Sequence, residues 1–109
     1  MNHSHDWKID ALDGREHTLL TFSLGEWDAM IGGGPDLFVV TASAGGGSRI
    51  ANARTLREDI DDEETVDLTV GGQGIDYPWE YALTREEALA AMTDLATGEL
   101  SGERWELIP

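Results

Sequence analysis

The sequence predicts an α+β fold: an antiparallel sheet of five or six strands, with one main helix at about 85–97 and one short helix at about 24–31 packed on it. Three observations lead there. Apolar and polar residues alternate with period two in several runs, most cleanly at Thr65-Val66-Asp67-Leu68-Thr69-Val70, where Val66, Leu68 and Val70 share a face. Glycine clusters follow the strand-like runs, at Gly45-Gly46-Gly47 and Gly71-Gly72, as tight turns require. From Thr84 onward a capping box is joined to a long helical stripe.

Taken in order, Trp7-Lys8-Ile9-Asp10-Ala11 alternates, Asp13-Gly14 signals a turn, and Thr18-Leu19-Leu20-Thr21-Phe22 is β-branched and apolar, which together predict a hairpin. Ser23 stands three residues before Glu26, a capping-box spacing, ahead of Trp27, Met30 and Ile31; this predicts the short helix, stopped by Gly32-Gly33-Gly34-Pro35. Residues 37–42, Leu-Phe-Val-Val-Thr-Ala, are apolar on both faces, as in a central strand. Residues 48–57 are a candidate partner strand with Ile50 and Leu56 as its large apolar anchors.

Residues 58–64 hold six acids in seven positions, a density only solvent can accommodate, and therefore form a loop or exposed turn. After the strand at 65–70 and its glycine turn, 77–83 predict another strand, with Pro78 near its start. Thr84 and Glu87 form the capping box of the main helix, Glu86 and Glu87 favour its positive end, and Ala88, Leu89, Ala91, Met92 and Leu95 make its apolar stripe. Gly98 is the natural C-cap, and 104–108 add a last strand. Four tryptophans at Trp7, Trp27, Trp79 and Trp105 span the chain, so residues 1–109 read as one domain around one core.

Composition closes several chemistries. The absence of cysteine excludes a disulfide framework, a thiolate nucleophile and Cys-based zinc or iron–sulfur sites. Residues 1–13 lack the apolar run of a secretory leader, and no segment approaches the roughly 20 apolar residues that cross a bilayer, which makes the cytoplasm the expected location. The net charge of −15 is unevenly placed: the chain up to Arg54 holds 7 acids and 4 bases, the remainder 15 acids and 3 bases. Such a surface repels phosphate backbones and anionic headgroups and attracts a basic protein, so neither nucleic acid nor membrane is an expected partner.

Candidate catalytic and metal motifs each fail on a specific point. Gly71-Gly72-Gln73 matches the tripeptide with which release factors position water for ester hydrolysis, but net −15 opposes entry into an RNA machine. Asp59, Asp61 and Glu63 repeat every second residue as calcium ligands do, yet no glycine follows to turn the loop and the twelfth position is Val70. His3-Ser4-His5-Asp6 has the donors for copper or nickel, but two histidines near a terminus chelate metal without purpose. All three histidines lie within the first 17 residues and no Gly-x-Ser-x-Gly elbow occurs. The glycine clusters lack phosphate-loop spacing. No catalytic residue, metal or cofactor is expected.

The order Val66-Asp67-Leu68-Thr69-Val70-Gly71-Gly72-Gln73-Gly74-Ile75-Asp76-Tyr77-Pro78, then a helix over 84–97, Gly98-Glu99-Leu100 and Trp105-Glu106, resembles the Imm-one family of immunity proteins from bacterial polymorphic-toxin systems. Ile31-Gly32-Gly33-Gly34-Pro35 and the strand at Phe38 are also similar to the family's first half, so the resemblance spans about 24–105. It implies an inhibitor without an active site, which binds and neutralises a cognate toxin, a deaminase or nuclease that acts on nucleic acid. The matched residues Gly71, Gly72, Pro78 and Trp105 read as structural. For the interface the charge argument selects Glu58, Asp59, Asp61, Asp62, Glu63 and Glu64, with Asp76, Tyr77, Trp79 and Glu80 as neighbours. Two other readings stay open: an acidic nucleic-acid mimic that inhibits a DNA-handling enzyme, and a small carboxylate-based enzyme.

Overall fold

A computed structural model describes residues 9–58, 64–100 and 102–108. Among the described residues seven strands run in chain order: β1 (Leu19–Leu24), β2 (Trp27–Gly33), β3 (Phe38–Ala44), β4 (Arg49–Ala53), β5 (Thr65–Val70), β6 (Gln73–Pro78) and β7 (Trp105–Ile108). An α-helix, α1 (Arg85–Thr97), precedes β7, and short 3-10 turns occupy Ile9–Ala11 and Trp79–Tyr81. Five strands form one antiparallel sheet in the order β1-β2-β3-β4-β7, and β5 with β6 forms a separate two-stranded sheet. The fold is therefore α+β, with the expected antiparallel sheet and main helix.

The helix covers one face of the large sheet. On that face the register brings Phe22, Ala29, Ala42, Ala51 and Leu107 into one row. The three central alanines leave room for α1 to approach closely with Ala88, Ala91, Met92 and Leu95, all fully buried. Ile31, Phe38, Val40, Leu83 and Trp105 complete the core, together with Ile9 and Leu12 from the first turn. The ends of α1 are set as expected. Thr84 Oγ1 accepts from the Glu87 amide at 3.2 Å, Glu87 Oε1 accepts from the Thr84 amide at 3.1 Å, and Gly98 closes the helix in the left-handed region at φ 80°.

The β5-β6 hairpin lies over the other face, at the end of the sheet near Gly32. A Cβ at Gly32 would come within 2.6 Å of Val70 Cγ1, so only glycine admits this approach. The Gly72 amide also donates to Thr18 Oγ1 at 2.8 Å. The two-residue loop Gly71-Gly72 has both φ positive, at 63° and 81°, as the tightest hairpin turns require.

Several expectations are corrected. The short helix at 24–31 does not form: residues 27–33 are strand β2, with Trp27, Ala29 and Ile31 buried and Asp28 and Met30 exposed. Gly25, at φ 63°, makes a two-residue turn with Glu26, which gave the false capping-box spacing. The hairpin expected over 7–22 is absent as such. Trp7 and Lys8 lie outside the described residues, 9–11 are a 3-10 turn, and β1 pairs with β2. Asp13 Oδ1 accepts the amides of Arg15, Glu16 and His17 at 2.8, 3.0 and 3.1 Å, so this turn leads from the 3-10 segment into β1.

Strand β4 is anchored by Ala51 and Ala53, whereas Ile50 and Leu56 are exposed. The strand expected at 77–83 ends at Pro78, gives way to the 3-10 turn, and resumes as a single bridge between Leu83 and Phe38.

Candidate functional site

The residues that flank the acidic run in sequence are held at one place. Before it, the Thr55 amide donates to Glu80 O at 2.7 Å and the Arg57 guanidinium donates to Ala82 O. After it, Thr65 stands opposite Pro78 in the β5-β6 register. Thr55, Arg57 and Thr65, which flank 58–64 in sequence, are therefore tied beside residues 78–82, at the 3-10 turn Trp79–Tyr81. Glu58 and Glu64 are exposed, while Asp59, Asp61, Asp62 and Glu63 lie outside the described residues.

The clamp that holds this corner is Glu87. Its carboxylate accepts from Thr55 Oγ1 at 2.9 Å, from the Leu56 amide at 2.8 Å and from the Thr84 amide at 3.1 Å, with Arg57 Nε 3.6 Å away. Partial burial would raise its pKa, but these hydrogen bonds and the Arg57 charge outweigh burial and hold the carboxyl below the ordinary glutamate range. One side chain thus caps the helix and fastens Thr55 and Leu56, just ahead of the acidic run in sequence.

The four predicted neighbours do not share one face. Asp76 is exposed on the outer side of the hairpin, directly opposite Asp67, so two carboxylates share that surface. Tyr77 is on the inner side, half-buried against the sheet, where burial pushes its phenol up. Trp79 and Glu80 are half-buried in the 3-10 turn.

Sequence reasoning missed the polar cluster beneath them. Tyr81 donates from its hydroxyl to Glu106 Oε1 at 2.8 Å, and Asn52 Nδ2 donates to the same oxygen at 3.3 Å. Asn52 and Glu106 are register partners on β4 and β7, on the face away from α1. Burial pushes the Tyr81 phenol up to about 12, assisted by its bond to Glu106 and by the negative charges of Glu80 and Glu106. The Tyr81 and Asn52 hydrogen bonds hold the Glu106 carboxyl below its ordinary range. The alternation Trp105-Glu106-Leu107 marked Glu106 as facing away from the core, but nothing local marked Tyr81 as its partner.

The raised phenol has a sign. The folded protein keeps the Tyr81 proton between pH 10.0 and about 12, where an unfolded chain releases it. Its contribution to stability is complete below pH 10.0 and is lost as pH rises through about 12. In an alkaline titration followed by phenolate absorbance, the wild type is expected to show a step near 12 that is absent in Tyr81→Phe.

A concavity of about 730 Å³ lies between the end of α1 and strands β4 and β7, with Trp27, Ile50, Leu95, Leu100 and Leu107 on its walls. Arg49 closes one side, stacked 5.2 Å over the Trp27 ring and ion-paired with Glu26.

No family model, curated protein or solved structure matches the chain. Among the described residues no group of three or more His, Asp or Glu is placed to hold a metal ion, and no helix is long and apolar enough to cross a membrane. His3 and His5 lie outside the described residues.

Proposed function

We propose that this chain is an immunity-type inhibitor, which binds a cognate bacterial toxin in the cytoplasm and neutralises it by covering the basic surface with which the toxin handles nucleic acid. The observation that carries this reading is the disposition of charge. Four arginines are engaged within the molecule: Arg49 with Glu26, Arg57 with Glu87, Arg104 with Asp94 at 3.2 Å, and Arg54 with the carbonyls of Gly102 and Trp105. Glu58, Glu64, Asp67 and Asp76 stand exposed, with the rest of the acidic run between the first two in sequence. A cationic groove built for phosphate meets in this surface a substitute of the same sign, and complementary fields raise encounter rates by about 10- to 1,000-fold. The resemblance to immunity proteins supports the same partner class.

The test is a pull-down from the source lysate at about 50 mM and about 500 mM salt, which span weak and strong screening. One basic partner carrying a toxin domain, retained at low salt, is the expected result. A heterogeneous set of basic proteins, all removed at high salt, contradicts it.

A further inference from the structure

We propose that the cleft between the β5-β6 hairpin and the outer face of the large sheet receives one arginine side chain of the basic partner, its guanidinium between Tyr77 and Tyr81 and paired with Glu106. This rests on the binding reading above and assigns it a specific contact. The cleft measures about 280 Å³; Val39, Val40, Thr41, Asn52, Tyr77, Pro78 and Tyr81 line it, and Glu106 stands beside that lining, bonded to Tyr81 and Asn52. That lies at the small end of ligand pockets, the scale of one long side chain.

Three features select the occupant. Two phenol rings and a proline give flat apolar walls, on which a planar guanidinium stacks better than an ammonium. Glu106 is preorganised, because the bonds from Tyr81 and Asn52 both reach Oε1; among the described residues Oε2 accepts none, which leaves a carboxylate oxygen for an incoming N–H. The nearby charges are Glu80 and Glu106 on the acidic side and Arg54 on the basic side. Arg54 is engaged by the Gly102 and Trp105 carbonyls, at 2.7 and 3.3 Å. Thr55 and Thr65, which flank the acidic run in sequence, are fastened beside the same 3-10 turn. Charge also argues against a second copy of this chain, because each copy carries −15.

The probe is N-acetyl-arginine amide at low salt, with N-acetyl-citrulline amide as its neutral isostere, titrated into the full chain and followed by NMR. A single ion pair with stacking at a partly exposed site corresponds to half-saturation at about tens of millimolar. Saturable shifts are expected at the Asn52 side-chain amide and the Tyr77 and Tyr81 rings, with arginine and not with citrulline. Glu106→Gln, which keeps an acceptor for Tyr81 but removes the charge, should weaken binding at least about fivefold; Tyr81→Phe, which keeps the ring, should weaken it about two- to threefold. An unchanged amide spectrum away from the cleft shows that each variant is folded. Equal shifts with arginine and citrulline, or arginine shifts that Glu106→Gln leaves intact, would overturn the proposal. The titration needs no toxin, so it can fail while the pull-down succeeds, and the reverse.

Discussion

Trp105→Ala is expected to cost about 4 kcal/mol, the middle of the range for deleting a fully buried aromatic side chain. Trp105 is 1% exposed and is among the largest fully buried side chains of the core. It stands opposite Ala53 on β4, and the small partner makes the space the indole fills. Its Nε1 donates to Asp94 Oδ2 at 3.1 Å, the oxygen that also pairs with Arg104 at 3.2 Å, so the ring ties β7 to α1 as well as packing between them. Truncation leaves a cavity that surrounding alanines cannot refill and removes one donor from a half-buried carboxylate. Against the 5–15 kcal/mol typical of a domain, about 4 kcal/mol is a large fraction. Urea unfolding followed by circular dichroism measures it; a loss below about 1 kcal/mol would show that the indole does not hold the sheet to the helix.

Glu87→Ala is the second large effect, at about 3 kcal/mol. The carboxylate is the acceptor for the Thr55 hydroxyl and for the Leu56 and Thr84 amides, and truncation leaves all three without it. Losing the helix cap alone costs about 1 kcal/mol, and hydrogen bonds to a charged group are worth about 1.5–3 kcal/mol each, though not additively. Glu87→Gln, which keeps one acceptor oxygen, should lose roughly half as much. The pH dependence follows from the lowered carboxyl. A group depressed on folding adds stability that is present above its unfolded pKa and is lost as pH falls through its folded value. The gap between wild type and Glu87→Ala should therefore be full at neutral pH and narrow in acid. A gap that stays constant into strong acid would mean that the charge of Glu87 plays no part.

These two residues also show what the sequence could disclose. Glu87 was legible as a helix cap because a capping box is local, three residues apart. Its second role was not, because Thr55 and Leu56 reach it through the fold. Trp105 was legible as core from alternation alone. At Trp27, Met30 and Ile31 the helical spacing competed with the period-two set Trp27, Ala29 and Ile31. A strand won because Gly25 turns the chain and β2 pairs on both sides, a tertiary fact that no window of sequence contains. The acidic run and its neighbours Asp76, Tyr77, Trp79 and Glu80 were marked by charge and aromatic content. Asn52 and Glu106 meet Tyr81 only after three separate segments assemble.

The most direct measurement of the central claim is the association rate with the partner retained in the pull-down, at about 50 mM salt, for wild type and for a variant with Glu58, Asp59, Asp61, Asp62, Glu63 and Glu64 all replaced by Asn or Ser. Electrostatic occlusion predicts an on-rate about 10- to 100-fold lower in the variant, a dissociation rate changed much less, and a difference that shrinks as salt rises. An on-rate equal to that of wild type at low salt would remove the acidic run from the mechanism and contradict the account.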